Sequence, residues 1–108
     1  MAITFFTQSK KDIAPIWIRV RELNFDAKAR TKLIVKKDRL VKGEIRDYKV
    51  VASDQAHQKA KKQRDNNSLN IIKKEIEFLR SLVYDALNSR KEGENITSKW
   101  LCDIVQSN

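Results

Sequence analysis

Along residues 16–21 apolar and polar positions alternate strictly, with Ile16, Ile18 and Val20 interleaved by Trp17, Arg19 and Arg21. Period two is the repeat of a β-strand, because successive side chains leave opposite sides of a pleated ribbon. The strand predicted after Pro15, over IWIRVREL, therefore has one oily face and one basic face. A second such strand follows the NFDAK segment, whose Asn24 and Asp26 suit a turn. Within ARTKLIV, Thr31, Leu33 and Val35 alternate with Arg30, Lys32 and Ile34. Upstream, residues 2–8 (AITFFTQ) are β-branched and aromatic without helical spacing, and predict a first strand ending at SKKD.

At Leu69 the period changes. Leu69, Ile72, Ile76, Leu79, Val83 and Ala86 recur at steps of three and four, the stripe of an amphipathic helix. Asn66, Asn67 and Ser68 offer an N-cap and Gly93 a stop, so the helix is expected to run to about Lys91. Roughly 22 residues give about 33 Å, enough to cover a three-stranded sheet. Thr97 can cap a short terminal helix, SKWLCDIVQ, with Trp100, Leu101, Ile104 and Val105 on one face. Residues 36–68 read mostly as loop, with a β-like patch at 48–51 and at most a short helix around 56–64. The expected fold class is α+β: a three-stranded antiparallel β-sheet packed against one long α-helix, with a short C-terminal helix.

A chain of 108 residues buries one modest core, and two separate cores would each be marginal. One domain is expected over residues 1–93, with 94–108 opening a linker or further helical region. No apolar run approaches the roughly 20 residues that span a bilayer, and none of signal-peptide length precedes the first charges. A soluble, cytoplasmic protein with no membrane partner is the expectation.

Charge alters this picture through its distribution more than its total of +9. Residues 1–50 hold 13 basic and 6 acidic side chains, residues 51–68 hold 4 and 2, and residues 69–108 hold 6 and 6. The excess sits on the sheet-forming part, which favours a polyanionic partner. If the strands pair antiparallel, Arg19, Arg21, Lys28, Arg30 and Lys32 share one face, opposite the face that meets the helix. Trp17 lies among them, placed to pack on a sugar, to stack on an arginine, or to close the sheet edge. Lys36, immediately after that strand, completes the candidate set. A two- or three-stranded sheet fits the roughly 12 Å major groove of duplex DNA, where Arg donates two hydrogen bonds to guanine. A solvated outer face is the plain alternative, since antiparallel sheets often have one wet side.

Other chemistry is sparse. The run Lys59, Lys61, Lys62, Arg64 offers phosphate contacts without sequence preference, or is a solvated loop. His57 is the one histidine and has no Cys or second His near it at metal-ligand spacing, so no metal and no cofactor are expected. Cys102 reads as a buried apolar filler in a reducing compartment. Glu75 with Glu77 and Glu92 with Glu94 are two apart and diverge on a helix, so they form no acid–base couple.

The stretches ITFFTQSKKDIAPIWIRVRE and FDAKARTKLIV, then a long helix, then GENITSKWL, resemble the N-terminal arm-type DNA-binding domain of Bacteroidetes tyrosine recombinases, the phage-integrase family of mobile elements. The resemblance covers nearly the whole chain in order. It implies a three-stranded sheet inserted into the major groove of the arm sites flanking a recombination core. Arg19 and Arg21 in PIWIRVRE, and Lys28, Arg30 and Lys32 in AKARTKL, are the positions to which that role carries. ITSKWL resembles the start of the helical core-binding domain, through which other recombinase protomers would be met. A tyrosine recombinase cuts with an arginine- and histidine-containing cluster around a nucleophilic tyrosine. Tyr48 and Tyr84 lack that context, so this chain is expected to bind DNA and not to be an enzyme by itself. Two further readings are a protein-interaction module pairing through Leu69, Ile72, Ile76 and Leu79 of the 69–91 helix, and RNA binding.

Overall fold

The computed structural model describes residues 2–90 and 95–106. In chain order the elements are β1 (Ala2–Phe6), β2 (Ile13–Glu22), β3 (Phe25–Lys36), a 3-10 turn (Lys37–Arg39), β4 (Leu40–Val41), β5 (Glu44–Ile45), α1 (Ala56–Asn88) and α2 (Ser98–Gln106). The class is mixed α+β, and the main sheet is antiparallel with β2 between β1 and β3. The first strand stops at Phe6, two residues short of the expected end.

Alternation dictates which side of the sheet is dry. Ala14, Ile16, Ile18 and Val20 of β2 are all fully buried, and Ala27, Ala29, Thr31 and Val35 of β3 join them on the inner face. β3 begins at Phe25, four residues before the ARTKLIV segment, because Glu22 pairs directly with Phe25 across a two-residue turn at Leu23 and Asn24. Asp26 thus belongs to the strand and not to the turn. Alanine is a weak apolar marker, so Ala27 and Ala29 concealed this continuation of the pattern.

Pro15 lies inside the central strand, where its missing N–H would leave a gap in the ladder. The register shifts between Pro15 and Trp17, and the extra residues fall on β3. Thr31 fills the irregularity: its hydroxyl donates to the Ile16 carbonyl at 2.7 Å and accepts from the Leu33 N–H at 3.2 Å. It is the one buried polar side chain among the described residues. Two extra residues preserve the parity of the strand, so the faces do not exchange beyond the bulge.

The expected start of the long helix at Leu69 is overturned. α1 runs unbroken for 33 residues from Ala56, about 50 Å of helix. Asn66, Asn67 and Ser68 lie inside it; Asn66, instead of capping, turns its amide to the Tyr48 backbone, accepting from that N–H at 2.7 Å and donating to that carbonyl at 2.9 Å. The segment read as β-like at 48–51 is accordingly not a strand but a strap against α1. Lys62 secures it further through the Lys49 carbonyl (2.9 Å) and Asp54 (2.8 Å). The helix ends at Asn88, and the stop expected at Gly93, with Lys91 before it, lies outside the described residues.

The second half of α1 closes the core with Leu69, Ile76, Leu79, Val83 and Leu87, the last in place of the expected Ala86. Each such apolar side chain contributes about 1.5–3 kcal/mol on burial. The helix lies lengthwise on the inner face. Leu69 and Ile72 sit by Ile13 and Val35, while Arg90 meets Glu22 at 3.8 Å and covers the Phe25 ring.

A small hairpin, β4–β5, appears within the segment read as loop. Its turn places Lys42 and Gly43 at φ 52° and 80°, the pair of positive values that a tight two-residue hairpin turn requires. A Cβ on Gly43 would meet only ordinary contacts, so backbone conformation and not space selects glycine there.

α2 begins on the expected cap, with the Trp100 N–H donating to the Thr97 hydroxyl at 3.1 Å. Leu101 and Val105 are buried in the common core, Trp100 and Ile104 are half-buried, and Cys102 is half-buried where full burial was expected. The helix lies along the free edge of β3. Ser98 accepts the Lys28 backbone N–H at 3.2 Å, and the Gln106 amide donates to the Arg30 carbonyl. Those bonds occupy backbone groups that an open edge would otherwise offer to another strand.

Candidate nucleic-acid interface

The outer face of the sheet is built in rows set by the pairing register. Ala2, Arg21 and Asp26 form one row, Thr4, Arg19 and Lys28 the next, and Phe6, Trp17 and Arg30 the third. Lys32 follows within the bulged stretch, and Lys36 stands opposite Ile13 at the far end. All seven predicted residues, Trp17, Arg19, Arg21, Lys28, Arg30, Lys32 and Lys36, therefore share this face. Arg19, Lys28, Trp17 and Arg30 occupy adjacent rows, whereas Lys36 lies apart, beside the exposed Ile13 and Ile34.

Four contributors escaped sequence reasoning. Thr4 and Phe6 of β1 reach the face because β1 pairs with β2 in a register that places them beside Arg19 and Trp17. Leu23, at the tip of the β2–β3 turn, is 99% exposed. Asp26 is the fourth and the most consequential. It accepts from Arg19 Nε at 2.8 Å and from Arg19 Nη2 at 2.5 Å, a fork-to-fork pair. The two lie diagonally across the strands, since Asp26 faces Arg21 and Arg19 faces Lys28. The side-chain hydrogen bond from Arg19 holds the Asp26 carboxyl below its ordinary range, and the same bond raises Arg19.

The partnering of arginines separates this face from the rest of the surface. Arg19, Arg39, Arg46, Arg64, Arg80 and Arg90 each have a carboxylate within 4.0 Å. Among the described residues Arg21 and Arg30 are the arginines without one, and both point outward from the sheet. Within those residues no ion pair or hydrogen bond engages the side-chain ammonium of Lys28, Lys32 or Lys36 either. Among the described residues Asp26 is the single carboxylate of the face. Glu22 has the opposite parity and is drawn to Arg90.

No protein-family model, curated protein or solved structure matches this chain. The chemistry of the face therefore rests on its own residues: cations held by a rigid two-sided sheet, with an aromatic pair, Phe6 and Trp17, among them. The three arginine–ring contacts among the described residues, Arg39 with Tyr48, Arg80 with Phe5 and Arg90 with Phe25, leave the Trp17 ring unstacked by an arginine. Elsewhere, Lys59, Lys61 and Arg64 lie on the first half of α1, not on a loop, and Lys62 is committed to Asp54.

No helix among the described residues is long and apolar enough to cross a membrane. No group of three or more His, Cys, Asp or Glu side chains among them is placed to hold a metal ion. The stripe suggested for partner pairing is occupied internally, since Leu69, Ile76 and Leu79 are buried and Ile72 is half-buried against the sheet.

Proposed function

We propose that this chain binds duplex DNA by laying the outer face of its sheet in the major groove, as the arm-site-binding part of a tyrosine recombinase. The observation that carries the reading is the partnering of arginines: Arg21 and Arg30, the two without a carboxylate within 4.0 Å among the described residues, both lie on this face, beside Lys28, Lys32 and Lys36. A surface ion pair contributes little stability, so leaving Arg21 and Arg30 unpaired costs the fold little and keeps both available to an anionic partner.

Dimensions agree with the groove. Three strands spaced about 4.8 Å apart give a ribbon of roughly 10 Å, against a groove about 12 Å wide. Same-face residues along a strand step about 6.7 Å, close to two base-pair rises of 3.4 Å. In this reading Lys28, Lys32, Lys36 and Arg21 set register on phosphates, Arg19 and Arg30 face base edges, and Trp17 with Phe6 packs on sugars or thymine methyls. Duplex RNA is disfavoured because its major groove is too narrow and deep to admit side chains. The resemblance to arm-type domains supports the same assignment. In this reading strand cutting and contact with other protomers would belong to other domains of such a recombinase, acting in the bacterial cytoplasm on the nucleoid.

Electrophoretic shifts of a duplex across a salt series test the proposal. Neutralising about five phosphates predicts log affinity falling against log salt with a slope of about −4.5. Affinity indifferent to salt, or preference for structured RNA over duplex DNA in direct competition, overturns it.

A further inference from the structure

Arg19 differs from every other cation on the outer face, because its guanidinium is already gripped along one edge. The Nε–H and one Nη2–H are directed to the two oxygens of Asp26. A guanidinium carries five N–H donors in one plane. Two are taken on the side edge, which leaves the end edge, with one N–H from each Nη, as two parallel donors. Guanine presents two acceptors, O6 and N7, to such a pair in the major groove.

The anchor itself is stiff. Asp26 is the second residue after a two-residue turn, paired opposite Arg21 in regular ladder, and its short side chain has few rotamers. Arg19 stands on the central strand between Thr4 and Lys28, in the middle of the three rows. Arg21 and Arg30, by contrast, have no carboxylate among the described residues within ion-pair distance to fix their orientation. A phosphate can be met from many directions, by a forked guanidinium or by charge alone, so a contact to it does not require a fixed side chain; a base edge must be met from one direction, which the anchored guanidinium supplies. A carboxylate on an otherwise cationic face also lowers attraction to phosphate, so its presence favours discrimination over bulk affinity.

We infer that Arg19 reads a guanine in the major groove through its free end edge, and that Asp26 is the positioning residue that holds it there. The assignment rests on the duplex-binding reading above, and its test separates the two. The probe is a pool of duplexes with a randomised central stretch, from which the wild-type chain, Arg19→Lys and Asp26→Asn each enrich their own bound set. Both substitutions lie on the solvent side of the sheet, and thermal unfolding confirms that each variant is folded.

Wild type is expected to enrich sequences with one strongly required guanine. Arg19→Lys keeps the charge but loses the fork, so preference at that one position should relax by about tenfold, with affinity for the unselected pool little changed. Asp26→Asn should relax the same position while binding to the unselected pool holds or strengthens, a combination that damage to the fold would not produce. If both variants enrich the wild-type sequences unchanged, or lose affinity equally for every sequence, the base-reading role is overturned and groove binding stands. If the wild-type chain retains no duplex at all, the groove-binding reading falls, and this inference with it.

Discussion

The two halves of α1 are one continuous helix held by different physics. Residues 69–88 carry the five buried side chains that cover the sheet, whereas residues 56–68 contribute none. The first half is fastened by polar contacts to the strap at 47–54: Asn66 to both backbone groups of Tyr48, Lys62 to Asp54 and the Lys49 carbonyl, and, one turn into the second half, Lys73 to Asp47 at 2.9 Å. At the end, the Gln58 side chain accepts the Gln55 N–H at 2.9 Å. Thirteen residues alone would be a marginal helix in water. Apolar burial therefore sets the stability of the domain, and directed hydrogen bonds set how far the helix extends beyond its core.

The comparison is broken most forcefully from the buried half. Leu79→Ala removes a side chain that is 6% exposed, between helix and sheet. A destabilisation of about 2–5 kcal/mol is expected in urea unfolding, with the whole domain affected. Lys61→Ala, in the exposed half, should change the same midpoint by less than about 0.5 kcal/mol. Equal effects at both positions would mean that the first half also packs on a core.

Asn66→Ala comes next in size. It deprives the Tyr48 N–H and carbonyl of their partner in a half-buried setting, which costs about 1–3 kcal/mol locally. The loss should be regional. Amide exchange should accelerate across residues 48–66 while the amides of β2 keep their protection, since local opening need not involve the core. Uniform acceleration throughout the chain would join the two halves into a single cooperative unit.

What was legible in the sequence follows the same division. Alternation in β2 and the three-four stripe from Leu69 mark burial, and burial leaves a period. The first half of α1 has no period because nothing in it is buried, and the polar triplet at 66–68, which suits a cap, is used sideways instead. β4 and β5 are two residues each, too short for any repeat, so their one signal was the Lys42–Gly43 pair. At the candidate interface, alternation placed Trp17, Arg19, Arg21, Arg30 and Lys32 on one face, while Lys28 and Lys36 fell just outside the strand that it marked. It could not place Asp26, whose partner Arg19 is seven residues away and becomes adjacent only once Glu22 pairs with Phe25. The edge contacts of Ser98 and Gln106 are similarly silent, since a side chain bonding to backbone leaves no complementary residue to find.

The smallest effect tests how the strap is held. Asp54 accepts from Lys62 at 2.8 Å and from the Val51 N–H at 3.0 Å, and these bonds, that from Lys62 first, hold its carboxyl below the ordinary range. A carboxyl whose folded value lies below its unfolded one stabilises the folded strap fully above the unfolded value, near pH 4, and loses that contribution as pH falls through the folded value. The Val51 amide resonance should accordingly titrate with a midpoint below about 4. Lys62→Ala should move that midpoint upward toward the unfolded value, and Asp54→Asn should abolish the transition. Because this half-buried pair holds the strap and not the core, neither substitution should open the amides of β2 to exchange. A wild-type midpoint at or above 4, unmoved by Lys62→Ala, would show that the strap rests on Asn66 alone, with Lys62 and Asp54 merely adjacent in solvent.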